Sequence, residues 1–384
     1  MKRFLKRHYE FILKLIRKKL NIIPRYIYLS NVLCKKQLIF PKETFFMPKL
    51  KDIFDNENQY FIEYETEIPE FYVIELPNAY TFINNEEVWT QNHEIILDHT
   101  TQKINPKKNE FINFGKAKKI KGQVVQLSLS GLENNYYHWL TECLGRLYLL
   151  KKAGITPDYY IVNNNLEFQK QWLKLFGISN KQILTPTTHT HKKYNNRYLI
   201  QADCLIITTF INNWIPIQFV NDFVSFQKLW LPSWIGKQYK KIIDKIDSDS
   251  FYNIYITRRN AKYRKVINEN ELIPILQKHG FDIIDLDLIP VIEQINIFKK
   301  AKMIIGIHGA GLTNMFFCKE GAKILEIYPS NYFDSSFRLQ AINLEIDYTY
   351  LIGDEVNENV NPQQANIYLN KYIFEKAISK FKSL

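Results

Sequence analysis

Hydrophobic and polar positions change rhythm several times along this chain, and the second half repeats one cycle. Residues 252–257 (YNIYIT) alternate with the two-residue period of a strand. A helical pattern follows at 268–279, an apolar run at 281–286, a helix opening on Pro290 and reaching 300, and a near-continuous apolar run at 303–307. The turn HGAGLTN, a short helix from near Leu312 and a last apolar strand to residue 327 complete the cycle. Strands alternating with helices predict a parallel sheet, and open parallel sheets bind ligands beyond the carboxyl ends of their strands.

Candidate chemistry collects at those ends. Gly309 and Gly311 let the backbone come close to a ligand where the strand reverses into a helix. A helix N-terminus presents unpaired N–H groups and a positive dipole end, which suits a diphosphate. Arg258, Arg259, Arg264 and Lys265 follow the strand at 252–257, and the planar guanidinium fork pairs two phosphate oxygens at once.

The first half carries a second constellation. Residues 124–127 read as a strand, 128–135 as a loop and 134–150 (NNYYHWLTECLGRLYLL) as a helix. At 3.6 residues per turn Trp139, Leu140, Cys143, Leu144, Leu147 and Leu150 form an apolar arc, and His138, Thr141, Glu142 and Gly145 lie opposite. His138 and Glu142 are i,i+4 neighbours, and a carboxylate that fixes an imidazole makes a general base for an acceptor hydroxyl. Around this, 61–95 reads as β-rich, 159–163, 182–184 and 204–208 as short strands, 230–250 as a linker with a helix in it, and 368–382 as a last amphipathic helix.

Metal chemistry has one short pattern, Asp285-Leu286-Asp287, which could hold a divalent cation or simply cap a turn. His189 and His191 are spaced H-x-H without a neighbouring Cys or Asp, which reads as a polar loop.

Composition sets the frame. The 384 residues, 46% hydrophobic and 15% aromatic, suffice for two domains, each with its own core. Cys34, Cys143, Cys204 and Cys318 are scattered and form no C-x-x-C, as expected of buried thiols in a reducing, cytoplasmic setting. No apolar stretch of about 18 residues predicts a transmembrane helix, and the N-terminus lacks the apolar core of a signal peptide. Leu5, Tyr9, Ile12, Ile16, Leu20 and Ile23 instead recur at helical spacing among lysines and arginines, predicting a basic amphipathic helix at residues 1–29 on the inner face of an anionic membrane. The net charge of +12 also suits nucleic acid, but the cations are not interleaved with aromatics on one face. A nicotinamide oxidoreductase is disfavoured because no G-x-G-x-x-G opens the unit.

The stretches TRRNAKYRKVINENEL, VIEQINIFKKAKMIIGIHGAGLTNMFF and GAKILEIYP, with NNYYHWLTECLGRLYLL upstream, resemble glycosyltransferase family 61 over residues 124–329. The resemblance implies an α/β, GT-B-like fold: two Rossmann-like domains facing a cleft, here with a β-rich N-terminal portion. The expected division is an acceptor-side domain at 30–235, a linker at 236–250, a nucleotide-sugar domain at 251–360 and a C-terminal helix at 361–384 packing back onto the first domain. It implies inverting transfer from a nucleotide sugar. The arginines and the helix N-terminus, able to neutralise a leaving diphosphate, predict that no metal or cofactor is needed, and the basic helix at a membrane predicts a glycan or lipid-linked glycan acceptor, as in capsule, O-antigen or lipopolysaccharide assembly. Donor contacts fall on Arg258, Arg259, Arg264, His308, Gly309, Ala310, Gly311, Leu312, Thr313 and Asn314, with Glu326 for the ribose. His138, Glu142 or the pair would be the base, and Asp285 with Asp287 the metal-dependent alternative. Glu293 and Gln294 also match the family pattern, without a physical role.

Overall fold

The apolar run around residue 305 becomes the strand Ala301–Ile307, buried at every position except Lys302, as befits a strand covered on both faces. It pairs in parallel with Tyr252–Ile256 on one side and Lys323–Pro329 on the other. Phe281–Ile284 lies outside the former and Asp347–Glu355 outside the latter, with Ile367–Tyr368 as a short antiparallel edge. The chain therefore departs to one side after Tyr252–Ile256 and to the other after Ala301–Ile307. Between those two carboxyl ends lies the switch point of the six-stranded sheet, the crevice where such sheets take ligands.

The computed structural model describes residues 25–83, 87–97, 114–129, 132, 134–185, 198–211, 229–239, 252–356 and 361–384. Within them the first half repeats the same logic. Ile183–Leu184, Tyr159–Ile161, Lys118–Gln126 and Leu199–Thr208 run parallel in that spatial order, so the second switch point lies between Lys118–Gln126 and Leu199–Thr208. The expected β-rich region is present: Phe71–Pro77, Tyr80–Phe82, Val88–Trp89 and Glu94–Ile96 extend this sheet in antiparallel fashion, and Lys35–Phe40, antiparallel to Phe71–Pro77, with Arg25–Ile27, parallel to Glu94–Ile96, bring it to ten strands.

The packing departs from two separate cores. The largest apolar cluster runs from Val125, Trp139, Leu140 and Trp172 to Ile254, Leu312, Met315 and Phe316, so both sheets share it. Trp172 is fully buried, 5.5 Å from the Phe317 ring and 5.4 Å from that of Tyr239. Tyr239 belongs to the expected linker, yet it is buried and donates its hydroxyl to the Leu140 carbonyl over 2.8 Å. An aromatic side chain placed there buries too much apolar surface to be left in a solvated tether.

The C-terminal helix needs a further correction. Lys371–Ser383 does not cross to the first sheet: Phe374, Ala377, Ile378 and Phe381 pack with Leu272, Leu276, Phe281 and Ile305 of their own half. What crosses is an N-terminal excursion between the paired strands Glu43–Met47 and Tyr64–Ile68. Phe61 inserts among Tyr328, Phe333 and Tyr350, and the Ile53 amide donates to the Tyr350 carbonyl over 2.8 Å. Lys380 of the helix pairs with Asp55 of this excursion.

The basic helix expected at 1–29, apart from its last residues, His189 and His191, and most of the 236–250 linker lie outside the described residues. Among the described residues no helix is long and apolar enough to cross a membrane.

Candidate functional site

Both sequence constellations fall at the two switch points. After Lys118–Gln126 the chain enters a helix at Tyr136, capped by the Asn135 side chain, which accepts from the Tyr137 amide over 2.9 Å. Trp139–Leu144 then widens into a π-helical turn before Gly145–Lys152 resumes α geometry, an irregularity frequent at functional sites. The amphipathic expectation fails here, since Thr141, Glu142, Gly145 and Arg146 are as buried as the apolar arc.

His138 Nδ1 lies 2.6 Å from Glu142 Oε1, and the ring keeps more surface (14%) than the carboxylate (4%). With Nδ1 engaged by Glu142, Nε2 is the ring's other nitrogen. Sequence reasoning missed Arg146, one further turn along the same ladder. It is fully buried, donating from Nε to the Glu142 carbonyl (2.7 Å), from Nη1 to that of Gln126 (3.2 Å) and from Nη2 to that of Leu127. Thr141 likewise donates to the Tyr137 carbonyl over 2.7 Å. A widened turn breaks the regular i→i−4 ladder, and these side chains supply donors inside it.

On the other sheet the strand Tyr252–Ile256 delivers Arg258 and Arg264 to the crevice. Arg258 donates from Nη2 to the Tyr263 carbonyl over 3.0 Å, and its buried Nε has no hydrogen-bond partner among the described residues. Arg264 donates from Nε to the His308 carbonyl over 2.9 Å and from Nη1 to that of Gln363, on a backbone with φ of 55°, a region uncommon for arginine. Among the described residues neither guanidinium has a carboxylate within 4.0 Å. Burial, reinforced by the charge of Arg264, pushes the Arg258 pKa down to about 10, and burial lowers that of Arg264 as well. Two adjacent half-buried cations with no carboxylate within 4.0 Å among the described residues are an arrangement that suits an anion.

Gly309 makes that site possible. A Cβ placed there would lie 2.2 Å from Arg258 Nη1, so only glycine lets the guanidinium rest on the turn. The helix that follows, Ala310–Phe317, is a 3₁₀-helix. Ala310 and Gly311 are half-buried at its head, whereas Leu312, Thr313 and Asn314 are buried and brace the turn from beneath. Asn314 accepts from the Tyr136 hydroxyl and donates to Gln294 Oε1, both at 2.8 Å. Gln294 in turn donates to the carbonyls of Leu286 (2.9 Å) and Ile289 (2.8 Å), a physical role that sequence alone did not supply.

Three expected donor contacts and one metal pattern are placed otherwise. Arg259 faces Glu269 at 3.5 Å, where Tyr255 and Thr257 also donate to the same buried carboxylate. Asn314 is committed to the hydrogen bonds just described. Glu326 is fully buried, with Oε1 2.6 Å from His308 Nδ1 and Oε2 accepting the Tyr348 hydroxyl, so it faces the histidine and not a ribose. Asp285 caps a short turn, accepting from the Asp287 amide (3.2 Å) and Asn260 Nδ2 (2.7 Å).

Residues 136–325 match the family described as Glycosyltransferase 61. An EGF domain-specific O-linked N-acetylglucosamine transferase of Drosophila melanogaster is 38% identical over 77 residues, 19% of this chain and 15% of that protein. Its Rattus norvegicus counterpart is 32% identical over 85 residues, 21% of this chain and 16% of that protein. A xylan glycosyltransferase of Arabidopsis thaliana is 23% identical over 225 residues, 53% of this chain and 44% of that protein. The chain thus covers well under two thirds of each relative. The matched span starts at Tyr136 and extends past Asn314, taking in both constellations and the hydrogen bond between them, and over it the chain is similar to glycosyltransferase family 61.

Proposed function

We propose that this chain is an inverting glycosyltransferase that moves a sugar from a nucleotide-sugar donor to a hydroxyl of a glycan, with a GT-B-like arrangement of its two switch points across one cleft. The observation that carries the reading is the pair Arg258 and Arg264, half-buried beside the Gly309 turn with no carboxylate within 4.0 Å among the described residues. Such a pair meets the charge that develops on a leaving diphosphate, the electrostatic contribution on which such catalysis chiefly rests. In this reading metal is not required, because two guanidiniums and the head of the 3₁₀-helix neutralise that charge.

His138 takes the acceptor proton through Nε2 while Glu142 holds Nδ1. The acceptor oxygen attacks the anomeric carbon from the face opposite the diphosphate, the bond from that carbon to the phosphate oxygen breaks, and the diphosphate departs with the electron pair. The plant relative's name supports a polysaccharide acceptor, and a cell-surface glycan made at the inner membrane face remains the reading of the basic N-terminal sequence.

The test is thermal stabilisation by a panel of nucleoside diphosphates and nucleotide sugars in EDTA, wild type beside Arg258→Ala, since a ligand that binds only the native state raises its stability. A shift with one nucleotide that the variant loses supports the donor site and its independence of metal. A shift that appears only when Mn²⁺ replaces EDTA moves the site to Asp285 and Asp287. No shift under either condition overturns the reading.

A further inference from the structure

Glu326 is the most completely buried carboxyl near the site, and transfer as proposed above gives it no task. Its strand neighbours fix its place: Glu326 lies opposite Gly306 in register, and the His308 amide donates to the Ile327 carbonyl over 2.9 Å. The histidine ring is held from every side. Tyr328 stacks on it at 5.2 Å, Tyr332 meets it edge-on at 5.4 Å, and Phe337 closes the remaining face at 5.2 Å. Arg264 pins its carbonyl, and Nδ1 is 2.6 Å from Glu326 Oε1. Only the opposite edge, Nε2, is left.

The proton between the two side chains has one favourable place. Among the described residues Glu326 has no Lys or Arg within 4.0 Å and no exposed surface, and an isolated carboxylate costs several kcal/mol in such a position. The carboxyl therefore keeps its proton and donates it to Nδ1, so that the neutral ring carries its own hydrogen on Nε2. The groups facing the pair are divided, and burial outweighs them: the Tyr348 hydroxyl donating to Oε2 favours a carboxylate and Asp334 an imidazolium, whereas the arginines of the crevice repel an imidazolium.

We infer that Glu326 is a positioning residue of the donor site, holding His308 so that its Nε2–H is turned to the diphosphate beside Arg258 and Arg264. The inference rests on the proposed donor reading for its ligand, but not for its tautomer. A neutral donor fixed in this way gives a hydrogen bond to phosphate that does not vary across the neutral pH range, which a free histidine cannot supply.

The experiment is two-bond ¹H–¹⁵N correlation on the full chain labelled with ¹⁵N-histidine, the His308 signals being those missing in His308→Gln. A neutral ring protonated on Nε2, unchanged between about pH 5.5 and 8, is expected, and a ring protonated on Nδ1 or an imidazolium overturns the inference. Binding of uridine and guanosine diphosphates to Glu326→Gln, whose amide can still donate to Nδ1, should stay within about threefold of wild type, whereas Glu326→Leu should bind at least about tenfold more weakly. Undiminished binding by a folded Glu326→Leu also overturns it. If neither diphosphate binds the wild-type chain, the donor reading fails, while the tautomer measured in the wild type still decides whether Glu326 positions His308.

Discussion

The Tyr136 hydroxyl donates to the Asn314 side-chain oxygen over 2.8 Å, joining the helix of one sheet's switch point to the turn of the other. The contact sits in a chain of buried donors and acceptors. Trp172 Nε1 donates to the Tyr136 oxygen at 3.2 Å, Asn314 donates to Gln294, and Gln294 closes on two backbone carbonyls. The helix that carries His138 and the turn beside Arg258 are therefore mounted on one polar relay embedded in the shared core.

Tyr136→Phe keeps the ring and removes that link, leaving Asn314 Oδ1 without its donor and Trp172 Nε1 without its acceptor. Orphaned buried groups of this kind cost about 1–3 kcal/mol. The urea midpoint should fall without a change in slope, and an unchanged midpoint would remove the relay from the account of stability.

Gly309→Ala places a methyl where Arg258 Nη1 now rests. The guanidinium must withdraw, and losing one charge-assisted contact, about 1.5–3 kcal/mol, weakens nucleoside diphosphate binding about tenfold or more. Thermal stability in the absence of ligand should change little. Calorimetric titration of wild type and variant measures the difference.

His138→Ala removes the proposed base and leaves the arginine crevice intact. Turnover should fall about 10²–10⁴-fold, the usual contribution of a positioned base. Donor affinity should not move, because His138 and Arg258 belong to different sheets. Glu142→Gln should be milder, since an amide can still hold the ring. A parallel loss of donor binding in His138→Ala would place the histidine on the wrong substrate.

Arg146→Leu removes the donors that satisfy three carbonyls around the π-turn. Those buried acceptors lose their partners at about 1–3 kcal/mol each. Denaturant unfolding should show a large loss, and any folded fraction should have turnover reduced more than donor affinity, since the damage lies on the His138 side.

The pH dependence follows from His308. Burial pushes its pKa down to about 3, below the ordinary 6.5, with the nearby arginines adding and Asp334 opposing. The folded state therefore refuses a proton that the unfolded chain accepts. Its stability is fully present above about pH 6.5 and declines as pH falls toward 3, by up to about 1.4 kcal/mol per pH unit. Glu326 has the opposite sign: burial raises its pKa well above the carboxylate range, so its stabilising share is lost as pH rises. Urea midpoints from acid to alkaline pH should pass through a maximum, and His308→Gln should flatten the acid side alone.

The sequence by itself determined what depends on near neighbours. Alternating runs specified the parallel strands around Ala301–Ile307, the i,i+4 spacing brought His138 to Glu142, and two glycines after a strand marked the turn on which Arg258 lies. These features involve residues close along the chain, or chemistry that strand ends gather by rule. Tertiary structure decided the rest, because burial and hydrogen-bond partners are set by residues far away in sequence. Glu326 became the partner of His308 once Tyr348 and the aromatic shell closed over it, and Arg259 was taken up by Glu269. Arg146 could be read as an ordinary helix cation until the carbonyls at the end of Lys118–Gln126 converged on it. The π-turn, the core shared by both sheets and the C-terminal helix kept on its own half follow from the same cause: which apolar faces meet is settled only when the whole chain packs.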